Sequence, residues 1–115
     1  MRSLIALFAL STTALADPAT IDAVKPTQTS GGWRFEVTIS HPDTGWDDYA
    51  DGWRIESKDG TILGTRVLVH PHVNEQPFTR SLSGVNIPDG MTEVFIRASE
   101  SVGGWGATRV LITLP

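Results

Sequence analysis

Residues 33–40, Trp-Arg-Phe-Glu-Val-Thr-Ile-Ser, alternate apolar and polar at every step. A period of two puts Trp33, Phe35, Val37 and Ile39 on one face and Arg34, Glu36, Thr38 and Ser40 on the other. That is the pattern of a strand with one buried and one wet side. Gly31-Gly32 precedes the run, and His41-Pro42 closes it because proline cannot donate to the ladder. The same grammar recurs along the chain. Thr20–Lys25 predicts a short strand followed by a turn region over 26–32. Gly52–Ser57 predicts a strand with Trp53 and Ile55 together, then a tight turn at Asp59-Gly60. Thr61–His70 predicts a strand whose alternation is blurred at Gly64, as a bulge would do. Phe78–Val85 follows, then a Pro88-Asp89-Gly90 turn. Thr92–Ser99 sets Val94, Ile96 and Ala98 against Glu93, Phe95 and Arg97, and residues 108–114 alternate to the end. No segment after residue 17 carries a 3.6 period, so a parallel α/β sheet, which needs crossover helices, is excluded. About seven short strands at this spacing predict a two-layer antiparallel sandwich.

The first residues have a different grammar. Arg2 is followed by an apolar run from Leu4 to Leu10, and Ala14-Leu15-Ala16 is a small-x-small cleavage signal. This predicts a secretory signal peptide over 1–16 and a single domain over 17–115. The run is too short to span a bilayer, so no membrane insertion is expected after cleavage. The predicted location is periplasmic or secreted. The chain has no cysteine, which excludes a disulfide and a thiolate nucleophile or metal ligand. Net charge is −4, and loss of Arg2 with the leader takes it to −5. Without a basic stripe, nucleic acid is not an expected partner.

The closing stretch, SLSGVNIPDGMTEVFIRASESVGGWGATRVLITLP, has a strand, a Pro-x-Gly turn, an alternating strand through Arg97-Ala98, a glycine-rich hairpin and a strand ending Thr-Leu-Pro. It resembles the second half of a fibronectin type III or other immunoglobulin-like domain over roughly residues 78–115, with Trp53 as a core tryptophan. It departs from that pattern at the tyrosine corner, where Val94 or Phe95 stands. The chain is also similar to small exported bacterial proteins, a likeness that implies no activity. The resemblance implies an all-β, seven-stranded antiparallel immunoglobulin/fibronectin-III-like sandwich. Fold alone does not assign function.

Side chains with chemical potential concentrate in three loops: 41–52, 70–77 and 100–106. The first, His-Pro-Asp-Thr-Gly-Trp-Asp-Asp-Tyr-Ala-Asp-Gly, is rich in aspartate and aromatic residues. Asp43 or Asp47 is expected to cap backbone N–H groups there. Trp46 and Trp105 are expected to fold back as plugs pinning the ends of the sandwich. The alternative is an exposed aromatic platform. Trp46, Asp47, Tyr49, Asp51, Glu75 and Trp105 are the candidate ligand-binding residues. His41, His70 and His72 sit at loop edges. His70 and His72, two apart around Pro71, are expected to point the same way. With Asp43, Asp47 or Glu75 they form a candidate Zn or Cu(II) ligand set. No nucleophile elbow, phosphate loop or dinucleotide fingerprint is present. The function that follows is a non-enzymatic, exported and monomeric binding or accessory module for a protein or small ligand. A periplasmic divalent-metal binding protein is the alternative. A small hydrolase is a third reading.

Overall fold

A computed structural model describes residues 16–115, so the predicted leader lies, but for Ala16, outside the described residues. Seven strands form: β1 (Thr20–Thr29), β2 (Gly32–Ser40), β3 (Ala50–Glu56), β4 (Ile62–Val67), β5 (Phe78–Val85), β6 (Glu93–Glu100) and β7 (Gly104–Thr113). They make two antiparallel sheets, a three-stranded one in the order β1-β2-β5 and a four-stranded one in the order β4-β3-β6-β7. Among the described residues there is no helix. The arrangement fits an immunoglobulin- or fibronectin-like sandwich.

The predicted alternation sets the core. Phe35, Val37 and Ile39 of β2 are wholly buried, as are Trp53 and Ile55 of β3 and Val94 and Ile96 of β6. These side chains, with Phe78, Val85 and Ala98, form one apolar cluster drawn from both sheets. Each large ring removed from such a core costs about 3–5 kcal/mol. Phe35 and Trp53 therefore anchor the two layers.

Three boundaries differ from the sequence reading. β1 runs on through Pro26, which pairs with Phe35, to a hairpin whose turn is Ser30-Gly31. The proline is tolerated because β1 is a sheet edge, where a missing donor costs no ladder bond. β4 ends at Val67, three residues short of His70, although the Leu68 N–H still donates to the Asp51 carbonyl of β3 at 3.0 Å. β7 begins at Gly104 rather than 108, so Trp105 lies in a strand and not in a loop. Its predecessors Ser101–Gly103 are the whole turn. The bulge expected near Gly64 is present: Ile55 pairs with Gly64 and Glu56 with Ile62, leaving Leu63 extra. The Asp59-Gly60 turn is also present, with Gly60 at φ +88° and its N–H donating to the Ser57 carbonyl at 2.9 Å.

Candidate functional site

The three loops named above share one end of the sandwich. Asp43 is the reason. Its carboxylate is fully buried. Oδ1 accepts from His41 Nδ1 at 2.6 Å and from the Ala50 N–H at 2.9 Å, while Oδ2 accepts from the His72 N–H at 2.8 Å. One side chain thus ties the start of the first loop to its end and to the second loop. The Gln76 side chain adds two further ties, accepting from the His41 N–H at 3.1 Å and donating to the His72 carbonyl at 2.9 Å. The third loop is stitched on by Tyr49 and Ser101: the Ser101 N–H donates to the Tyr49 carbonyl at 2.9 Å, and the Tyr49 N–H donates to Ser101 Oγ at 3.0 Å. Asp43 therefore does the capping expected of it or of Asp47. Asp47 is exposed, in the turn of a small hairpin bridged by Gly45 and Asp48.

The indoles do not pin this end. Trp46 is 68% exposed and touches Tyr49 edge-on, with ring centroids 5.7 Å apart. Trp105 is 40% exposed and lies on the outer face of the four-stranded sheet, with the Arg54 guanidinium 4.1 Å above its ring. The plug expected of both is corrected on this point: carboxylate hydrogen bonds hold the loops, because a buried acceptor can tie three N–H groups at once whereas an indole offers one donor. Val69, Val73 and Val102 join Trp46 as exposed apolar side chains on the same three loops.

The histidines divide. His70 and His72 do point the same way, with ring centroids 4.6 Å apart. His72 is buried and stacks on Phe78 at 3.9 Å, and its Nε2 accepts from Arg80 Nη2 at 2.9 Å. That nitrogen is spoken for, and burial, followed by the Arg80 and His70 charges, pushes the His72 pKa below its ordinary value. His70 is exposed, with Nδ1 3.2 Å from the Pro71 carbonyl. Glu75 pairs with Arg80 at 3.2 Å. His41 is walled off from both: Nδ1 faces Asp43, and Nε2 faces the Asp17 carbonyl at 3.0 Å and Asp48 Oδ1 at 3.6 Å. The expected set of His41, His70 and His72 is therefore not gathered at one point. Among the described residues, the three potential ligands that do converge are His41, Asp48 and Glu100, whose donor atoms lie within 4.8 Å of one another. Asp51, like Asp48, leaves a buried Oδ1 with no hydrogen-bond partner among the described residues.

A second cluster escaped the sequence reading. Glu56, 1% exposed on the outer face of the four-stranded sheet, accepts from Arg97 at 2.7 and 3.1 Å, from Arg54 at 2.7 Å and from Arg109 at 3.3 Å. The Arg97 hydrogen bond first, and then Arg54, hold the Glu56 carboxyl at about 2 against the desolvation that burial imposes on it. Arg109 also covers Phe95 at 3.9 Å. Alternation assigned all four charged residues to outer faces. Their meeting depends on the register Arg54↔Arg97↔Arg109, which only pairing supplies.

No family model matches the chain, and no solved structure matches it significantly. Over 87 residues the chain is 39% identical to a protein of Halomicrobium mukohataei named "Putative lipoprotein". The match takes in 74% of this chain and 42% of that relative, so the chain spans well under half of the relative's length.

Proposed function

We propose that this chain is an exported, non-enzymatic accessory module that binds a protein or small ligand through the loop end of its sandwich. The observation that carries this reading is the combination found there. Three loops are locked to one another through Asp43, Gln76 and Ser101, yet Trp46, Val69, Val73 and Val102 are left in solvent. A rigid scaffold that presents apolar and aromatic side chains from its loops is the usual form of a recognition surface. Binding there loses little loop entropy, since the backbone is already ordered. The leader-like residues 1–16 and the relative's lipoprotein name support an exported location, in the cell envelope or beyond it.

Photo-crosslinking side chains placed singly at Trp46, Val73, Lys58 and Asp89 in the native host test the surface. The first two lie on the loop end, and the last two lie in the turns at Asp59-Gly60 and Pro88-Gly90. Adducts from 46 and 73 but not from 58 and 89 are expected. Equal labelling from all four, or none from 46 and 73, overturns the reading. Retention of the protein in the cytoplasm would remove its exported half.

A further inference from the structure

We propose that His41, Asp48 and Glu100 form a binding site for one divalent transition-metal ion, for which Zn(II) is the probe. This goes beyond the accessory role above and does not depend on any partner.

The argument starts from the tautomer of His41. Its side chain is wholly buried. Asp43 Oδ1 already accepts the Ala50 N–H, so the 2.6 Å contact places a hydrogen on His41 Nδ1, which donates it. With Nδ1 committed to Asp43, Nε2 is the ring atom left to meet whatever occupies the space between the acids. Everything it faces is an acceptor: the Asp17 carbonyl at 3.0 Å, Asp48 Oδ1 at 3.6 Å and the Glu100 carboxylate. A fully buried ring nitrogen surrounded by oxygens needs a proton or a metal cation between them, and a cation would serve all of these oxygens at once.

Asp48 and Glu100 make the same demand independently. Asp48 Oδ1 is buried and has no hydrogen-bond partner among the described residues. Such atoms are rare in folded proteins and need an occupant or an explanation. Glu100 is 4% exposed, and its carboxylate accepts the Val102 N–H at 2.9 Å and the Gly103 N–H, but no lysine or arginine among the described residues pairs with either acid. Buried charge of this kind needs a counter-charge.

The donor set suits a metal. Imidazole nitrogen with two carboxylates is an N/O set appropriate to Zn(II) and its neighbours. Ligand bonds of about 2.0–2.2 Å in a tetrahedral site place donor atoms roughly 3.3 Å apart. His41 Nε2 and Asp48 Oδ1 are already close to that, at 3.6 Å. Asp48, whose side chain is 32% exposed, has room to rotate, and binding would draw all three donor atoms inward from their separation of up to 4.8 Å. Asp43 on Nδ1 plays the orienting part that carboxylates play behind metal-bound histidines. Gly103 leaves the room that Glu100 occupies, since a Cβ there would collide with Glu100 Oε1. The Asp17 carbonyl, beside Nε2, is placed to be a fourth ligand.

Calorimetry with ZnCl2 on protein purified after export and stripped with EDTA tests the site. One ion per chain with a dissociation constant of about 1 µM or tighter is expected. Asp48→Asn and Glu100→Gln should each weaken binding by about tenfold or more, and His70→Ala should leave it unchanged. Asp48→Asn alters a part-exposed side chain, so its melting curve serves to show that the fold is retained. Nitrogen-15 spectra of the histidine rings add a second readout: Zn(II) should shift His41 Nε2 while Nδ1 keeps its proton. The proposal is overturned by absence of binding heat, by binding that survives both acid variants, by binding lost in His70→Ala, or by a His41 Nε2 that still carries a proton when Zn(II) is saturating.

Discussion

Replacing Glu56 by glutamine removes the one anion that three arginines share. The size of the effect follows from the Glu56 carboxyl being held at about 2 rather than 4.5. At about 1.4 kcal/mol for each pH unit, the folded protein favours the carboxylate by about 3 kcal/mol. A mutational estimate agrees in scale, since removing one partner of a buried pair costs about 3–5 kcal/mol. The lower end applies because Arg54, Arg97 and Arg109 keep 20%, 19% and 25% of their side chains in solvent and are partly rehydrated when the acid goes. Glu56→Gln should therefore lose about 2–3 kcal/mol at pH 7, a fall in melting temperature of about 10–20 °C for a domain of this size. The dependence on pH is the sharper signature. A carboxyl with a depressed folded pKa contributes fully above its unfolded value near 4.5, and the contribution fades as pH falls towards about 2. Urea or thermal denaturation of wild type and variant between pH 7 and 2 should show curves that are parallel above pH 5 and meet at the acid end. A variant within about 0.5 kcal/mol of wild type at neutral pH, or a difference that persists unchanged at pH 2, would refute the assignment of stability to this cluster.

Asp43→Asn should cost about 3 kcal/mol, because an amide cannot accept from three donors on two oxygens and its NH2 group would meet an N–H donor. Hydrogen exchange should quicken at the Ala50 and His72 amides before it does in the core strands. His72 should titrate below its ordinary value of 6.5 in histidine NMR spectra, and Arg80→Met should raise that midpoint by removing one of the charges that lower it. The sign for stability follows: the His72 contribution is intact above pH 6.5 and is lost as pH falls below it, since the unfolded imidazole takes up its proton first. Gly60→Val should destabilise by about 1–3 kcal/mol through backbone strain alone, because φ is +88° there and a Cβ meets nothing within 4 Å. An unchanged melting curve would count against that turn.

Much of the architecture was legible in the chain itself. Alternation at 33–40, 53–57 and 92–99 predicted which side chains enter the core, and Phe35, Val37, Ile39, Trp53, Ile55, Val94 and Ile96 are there with no exposed surface. This works because a strand's period of two is a local property, settled before any partner arrives. Turn glycines such as Gly60 and Gly90 were legible for the same reason, positive φ being a demand on a single residue. Within the second loop, His70 and His72 point together as Pro71 between them implied.

What the chain could not disclose is which distant residues meet. Asp43 reads as one aspartate among several, and only the folding of residue 72 onto residue 43 turns it into the hub of the loop end. Glu100, 59 positions from His41 and at the far end of β6, joins it through the pairing of β3 with β6, in which Ala50 opposes Glu100. The four-member Arg–Glu cluster likewise exists only because register aligns Arg54, Arg97 and Arg109 across three strands. The tryptophans show the limit from the other side: Trp53 is wholly buried and Trp33 packs half-buried against the core, but Trp46 falls at a turn tip and Trp105 on an outer face. The local chemistry of the chain determined its strands, its turns and the identity of its reactive side chains. Tertiary structure alone decided their company, because burial and hydrogen-bond partnership are set by long-range pairing that no short window of residues contains.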